Sequence, residues 1–326
     1  MINAAIVGLG WWGQVLVNSV QGKSKKIKFT KASTRTLSKA KDFASEHAVD
    51  LVSSYEEVLA DPNVDAVVLA TPHSMHRAQV EAAAAAGKHI LCEKPFTLFK
   101  ADAEAASAAA KAAGVVLAIG QNRRVNPAFL DMKRRIAENW FGNVLHVEAN
   151  FSAPGIWQYT PGSWRVDRDE CPGGGMTGLG VHLIDAIVAL LGEVECVYGQ
   201  SRRVIQSEGL DEMTSAMLTL KSGVSAYLST SVATEWCFIF RIIGENGWVE
   251  SQNIPMDSML VRPRGKDPED FKFEPFDMQH AELETFADVI NGTADYPVTT
   301  EEAIHVISVM RSIFDSIESG APVKVS

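Results

Sequence analysis

The chain has 326 residues, enough for two domains of ordinary size with large cores. Hydrophobic residues make up 46% and charged residues 21%, as in globular proteins, and no run approaches the roughly 18 apolar residues of a membrane span. A net charge of −10 excludes broad nucleic-acid binding, and the cysteines at 92, 171, 196 and 237 lack the spacing of a disulfide framework or a zinc site.

The first element runs from Ala4 to Gly13, AAIVGLGWWG, an apolar strand leading into Gly8, Gly10 and Gly13. A helix continues through Val15 to Val20. This is the spacing of a dinucleotide-binding turn: Gly8 allows the tight turn, Gly10 lets backbone amides approach a pyrophosphate, and Gly13 lets the helix pack on the strand. The helix N-terminus adds unpaired N–H groups and a positive dipole end. Leu9, Trp11 and Trp12, inside the turn, are expected to border the cofactor. The apolar start lacks the basic leader of a secretory signal, and glycines and Gln14 interrupt it. With the scattered cysteines, this suits a reducing cytoplasm.

A second strand is expected over Ile27 to Ala32. NAD-preferring enzymes usually end this strand on an acidic residue that accepts the ribose hydroxyls. Here Ser33, Thr34 and Arg35 follow instead, with Lys39 one turn into the next helix. Hydroxyls and cations suit a 2′-phosphate, so NADP(H) is favoured over NAD(H). Asp65 to Ala70 reads as a buried strand ending in Thr71-Pro72-His73-Ser74-Met75-His76. Ligands sit at the carboxyl ends of strands in open α/β sheets, so Thr71, Pro72, His73 and His76 are expected at the cofactor. A helix from Arg77 to Ala86 stops at Gly87. Strand His89 to Cys92 leads to Glu93-Lys94-Pro95, helix Ala101 to Ala113 stops at Gly114, and strand Val115 to Ile119 follows. Asn122, just past it, completes the expected cofactor set. The alternation predicts a doubly wound parallel sheet, a Rossmann domain over residues 1–121.

These motifs together resemble a known family. GLGWWG at the start, TPHSMH and CEKP after strands, RRVNP beyond the last strand and WRVDRDECPGGGMTGLGVHLID further on are similar to the Gfo/Idh/MocA oxidoreductases, the glucose–fructose oxidoreductase and inositol dehydrogenase family. The resemblance covers essentially the whole chain. It implies that Lys94 is catalytic and that His182 lies beside the substrate. It also implies that Trp164 and Arg165 lean over the nicotinamide and the substrate entrance. Arg165 has a second possible role, reading a substrate carboxylate in a bidentate contact.

The chemistry of Lys94 follows from its position as well. A partly desolvated lysine beside an oxidised nicotinamide gives up its proton more readily than a free one. It can then take the proton of a substrate hydroxyl as hydride leaves carbon, or return it in reduction. Glu93 either holds the Lys94 ammonium or touches the cofactor ribose, with the ribose favoured.

From residue 122 to 326 a second, substrate-binding and oligomerisation domain is expected. Val144–Phe151 reads as a strand and Leu179–Leu191 as a helix. Strands follow at Val194–Val204, Thr214–Leu220, Ser225–Val232, Phe238–Ile243 and Trp248–Ser251. Short turns between them predict a large, mostly antiparallel open sheet in an α/β domain. Arg262–Pro268 reads as a polar loop, and helices His280–Asn291 and Thr300–Glu318 close the chain. One sheet face is apolar enough to meet another subunit, and the resemblance implies a homodimer or homotetramer through it.

His182 and Asp185, three residues apart on a helix, share a face, which lets Asp185 orient His182 as a proton relay. The resembled family commonly has an aspartate four residues before this histidine, where this chain has Gly178. Without that carboxylate Lys94 should deprotonate more readily; Asp167 or Asp169 are candidates to replace it. Loops Ser152–Cys171 and Glu235–Phe240 are expected to choose the substrate, a sugar, cyclitol or related polyol. The leading function is hydride transfer between NADP(H) and a hydroxyl or carbonyl carbon. Alternatives are a cofactor-retaining lyase, dehydratase or glycoside-cleaving enzyme and a non-catalytic NADP sensor. No metal is expected.

Overall fold

Apolar runs punctuated by glycine build the first of two units into which the chain divides. The computed structural model describes residues 1–160, 162–206 and 208–326; Pro161, inside the expected substrate loop, lies outside them. Residues Met1–Asn122 and Asp277–Ile304 form the first unit, Arg123–Phe276 and His305–Ser326 the second.

In the first unit β1 (Ile2–Val7), α1 (Trp11–Val20), β2 (Ile27–Ser33), α2 (Leu37–Glu46), β3 (Asp50–Val52), α3 (Tyr55–Ala60), β4 (Ala66–Leu69), α4 (His76–Ala85), β5 (His89–Glu93), α5 (Lys100–Ala113) and β6 (Leu117–Gly120) follow one another. Every neighbouring pair is parallel, in the order β3-β2-β1-β4-β5-β6. This is the doubly wound Rossmann order, with the reversal between β1 and β4. Strands covered on both faces need continuous apolar runs, and all four residues of β4 are buried. Gly114 ends α5 in the left-handed conformation, φ 67°.

The second unit begins with α6 (Pro127–Ala137), a helix the sequence reading passed over. Its cap is nonetheless written in the chain: the Asn126 side chain accepts from Ala128 N–H at 2.8 Å, and Pro127 takes the first helical position. Next come β7 (Val144–Ser152), the short α7 (Gly155–Gln158), a π-helical turn at Met176–Gly180, and α8 (Val181–Leu191). Seven strands follow: β8 (Val194–Arg202), β9 (Met213–Leu220), β10 (Ser225–Ser231), β11 (Cys237–Gly244), β12 (Gly247–Gln252), β13 (Ser258–Pro263) and β14 (Glu269–Lys272). The chain ends with α9 (Met278–Ile290), α10 (Thr300–Ser319) and β15 (Val323–Lys324).

The large sheet has nine strands in the order β14-β13-β12-β11-β7-β10-β9-β8-β15. Only the β7–β10 pair is parallel. The mostly antiparallel sheet expected from sequence therefore forms. It extends further than expected, because Arg262 is no loop residue: β13 pairs with β12 and β14 on its two sides. β14, at the edge, is polar with all four residues exposed, so no apolar alternation marks it, whereas β13 does alternate, with Met259 and Val261 buried.

Residues 277–304, assigned by sequence to a 122–326 domain, group with the first unit. The reason is packing: α9 buries Leu283, Phe286 and Ala287 in the core that also holds Ile6, Leu16 and Phe29. Polar contacts reinforce it, with Ser24 Oγ donating to Glu284 at 2.7 Å and His280 Nδ1 2.8 Å from the Ser19 carbonyl.

Candidate active site

The glycine turn joins β1 to α1 with little tolerance for side chains. Gly8 has φ 96°, and a Cβ on it would stand 2.5 Å from the Ala70 carbonyl oxygen; one on Gly13 would stand 2.2 Å from that of Gly8. Gly10 is the opposite case. It caps α1 without a side-chain bond, and nothing lies within 4 Å of where its Cβ would be. Open space before uncapped helical N–H groups is what a pyrophosphate needs, so these residues fit a dinucleotide. Leu9 is buried beneath the turn, Trp11 is 71% exposed, and Trp12 packs against the core.

At the end of β2, Ser33 is buried and its carbonyl accepts from Gly8 N–H at 2.8 Å. Thr34 is half-buried, while Arg35 and Lys39 are exposed at the start of α2, whose cap Thr36 makes no side-chain bond.

The loop after β4 is tied to the loop after β5 by His76. This histidine is fully buried, with Nδ1 3.1 Å from both the Pro95 and Phe96 carbonyls and Nε2 3.2 Å from that of Thr71. A ring so engaged holds two loops together. Thr71 Oγ1 donates to Gln79 at 2.5 Å, Pro72 is half-buried, and His73 is buried with its ring 6.0 Å from that of His76.

Glu93 ends β5 in a buried position, made possible by the missing side chain of Gly120, whose Cβ would stand 3.1 Å from the Glu93 carboxyl carbon. Its Oε2 accepts from Lys94 N–H at 3.2 Å. Lys94 itself is half-buried, with Nζ 5.9 Å from the centre of the Trp12 ring. Burial pushes the neighbouring Cys92 thiol well above its ordinary range, so that sulfur stays protonated. Asn122 is buried at the end of the first unit.

In the second unit, α8 carries His182 and Asp185, both buried. Asp185 is taken by a partner the sequence reading did not assign: its two oxygens accept from Nε and Nη2 of Arg124, each at 2.8 Å. Both side chains are only 3% exposed, and a planar guanidinium matches a carboxylate in this bidentate way. Arg123 is buried beside it, its guanidinium 4.7 Å from the Phe151 ring and 4.5 Å from that of Phe238. Burial lowers its pKa to about 9, which leaves it charged at neutral pH. The Phe151 ring lies 6.1 Å from that of His182. Two adjacent arginines directly after a buried strand were the available signal for this arrangement.

Gly178 sits in the π-helical turn before His182, and a Cβ there would meet nothing within 4 Å. Asp167 and Asp169 are exposed, with Asp167 Oδ1 accepting from Asp169 N–H at 2.9 Å. Trp164 packs on the small cluster of Cys171, Leu210 and Val232, and the Arg165 guanidinium lies 4.2 Å from its ring centre. Among the described residues no group of His, Cys, Asp and Glu has the arrangement of a metal site.

Residues 2–121 match the family model described as oxidoreductase family, NAD-binding Rossmann fold, and residues 129–250 match the GFO/IDH/MocA C-terminal domain. The chain is 27% identical to 1,5-anhydro-D-fructose reductase of Ensifer adhaerens over 87% of its length and 86% of the relative's. It is 28% identical to D-xylose 1-dehydrogenase (NADP(+)) 2 of Haloferax volcanii, over 83% and 84%. Among solved structures, aldose-aldose oxidoreductase from Caulobacter crescentus, complexed with glycerol, is similar with a TM-score of 0.88, 25% identity and 99% of each chain covered.

Proposed function

Because this chain belongs to the Gfo/Idh/MocA family of NAD(P)-dependent oxidoreductases acting on CH–OH groups, we propose that it interconverts a hydroxyl and a carbonyl on a sugar, cyclitol or related polyol, with Lys94 as the acid/base. The observation that carries this reading is the position of Lys94. It is a half-buried amine at the carboxyl edge of the parallel sheet, two strands from the phosphate-cradling turn.

Gly8, Leu9, Gly10, Trp11, Trp12 and Gly13 would hold the nicotinamide dinucleotide, which when bound accepts or supplies the hydride. Lys94 Nζ takes the hydroxyl proton in oxidation and returns it in reduction. In the second unit His182 serves the substrate, held on a helix that the Arg124–Asp185 pair anchors. The chain has Gly178 where an acid is common in the family.

NADP(H) is the favoured coenzyme. Two cations, Arg35 and Lys39, are exposed around the start of α2 and no acid ends β2, which suits a 2′-phosphate. The homo-oligomer is assigned to the open face of the nine-stranded sheet. There Tyr198, Met217 and Tyr227 stand in one cross-strand row, 37%, 46% and 37% exposed. Among the described residues none of the four cysteines forms a disulfide, in keeping with a reducing cytoplasm.

A panel of polyols, aldoses and keto-sugars with NADP(H) and NAD(H), followed at the reduced-nicotinamide absorbance, tests the function. Lys94→Ala is expected to lower kcat by about 10²–10⁴-fold on the responding substrate. Turnover at the original rate would overturn the role of Lys94.

A further inference from the structure

The candidate base and the phosphate-cradling turn come from different strands. β1 and β5 flank β4, and strands lie about 4.8 Å apart, so their ends are separated by roughly 10 Å. One side chain spans that gap. Trp12, the second residue of α1, rests one side of its indole on the core of the first unit, while the Lys94 ammonium lies over the ring, 5.9 Å from its centre. A cation at this distance is attracted by the ring's negative face. The same side chain has a second unusual feature. Its Nε1–H is buried and has no hydrogen-bond partner. A buried donor left unmade is costly, and such groups in folded proteins call for an explanation.

We propose that Trp12 is a positioning residue: its ring face holds Lys94 at the sheet edge, and its Nε1–H is kept for an acceptor on the bound dinucleotide. The indole thus couples occupation of the glycine turn to the placement of the amine. Calling Lys94 the acid/base rests on the function proposed above, but the contact and its consequences do not, and they can be read without turnover.

The first measurement is the rate at which a small acylating reagent labels Lys94 in the cofactor-free protein, read by peptide mass spectrometry with the exposed Lys111 as internal reference. Only the neutral amine reacts, so a group that favours the ammonium slows labelling. Trp12→Leu is expected to speed Lys94 labelling about two- to fivefold with Lys111 unchanged, and Trp12→Phe, which keeps a ring face, to stay within about twofold of wild type. The second measurement is the Kd of oxidised NADP by calorimetry. Trp12→Phe, which lacks the N–H, should weaken it about two- to tenfold.

Equal Lys94 labelling in wild type and a folded Trp12→Leu would overturn the clasp, and an unchanged Kd in Trp12→Phe would overturn the role of the N–H. Should Trp12→Leu fail to fold, Trp12→Met, flexible and without a ring, carries the same test. If both effects appear while Lys94→Ala still turns over, the function assigned to Lys94 is wrong and the role of Trp12 stands.

Discussion

Residues that share a short motif can serve quite different ends. His73 lies in the turn after β4 and His76 opens α4, yet both ring nitrogens of His76 face backbone carbonyls, which makes it a tie between loops. Asp185 was legible as an acid on the same helix face as His182. Its bidentate partner was not, because Arg124 lies 61 positions earlier and no local pattern links the two. That pair has a measurable worth. Asp185→Asn leaves a guanidinium buried without its counter-charge, which costs about 3–5 kcal/mol. In this chain that corresponds to a drop in Tm on the order of 10 °C, checked by calorimetry. An unchanged Tm would show that the ion pair does not hold α8.

At the level of elements, the central parallel strands were readable because burial on both faces demands unbroken apolar runs, and glycines marked helix ends, while the short, partly exposed edge strand β3 was not. Polar edge strands such as β14 carry no such mark, and α6 was missed although Asn126-Pro127 announces it. The junction of β2 and α2 is where the proposed NADP preference is tested. Arg35→Glu replaces an exposed cation by an acid, and the ratio of kcat/KM for NADP over NAD is expected to fall by at least about tenfold. A ratio that does not move would place the 2′-phosphate elsewhere. The start of β5 is sensitive to acid. Burial lowers the pKa of His89 below its ordinary 6.5, and its Nδ1 accepts from Val116 N–H at 3.0 Å, so the folded state holds the neutral ring. The unfolded chain therefore binds this proton more tightly. The stability is present above about pH 6.5 and is lost as pH falls through the lower folded value. Tm of wild type should decline more between about pH 6.5 and pH 5 than that of His89→Gln, whose side chain does not titrate there.

Across the whole molecule, a single cross-strand row shows how the large sheet divides its open face. Tyr198, Met217 and Tyr227 are followed in register by Glu148, Arg241 and Glu250, with Arg241 paired to both acids. One end of the row is apolar and its middle is a charge ladder. Met217→Lys places a charge in the apolar stretch and tests the proposed homo-oligomer: the expected result is monomer in analytical ultracentrifugation with the fold intact. A variant that sediments like wild type would move the interface elsewhere. The return of α9 to the first unit was invisible in the sequence, because its partners lie some 260 residues earlier. That return also bears on how the protein is made. All six parallel strands have been synthesised by residue 120, yet Leu283, Phe286 and Ala287 belong to the same core. At about 5–20 residues per second, the nascent Rossmann sheet waits roughly 8–30 s with part of its apolar face uncovered. Over that interval the half-built domain is a natural client for chaperones, and a fragment stopped at Asn122 would remain one.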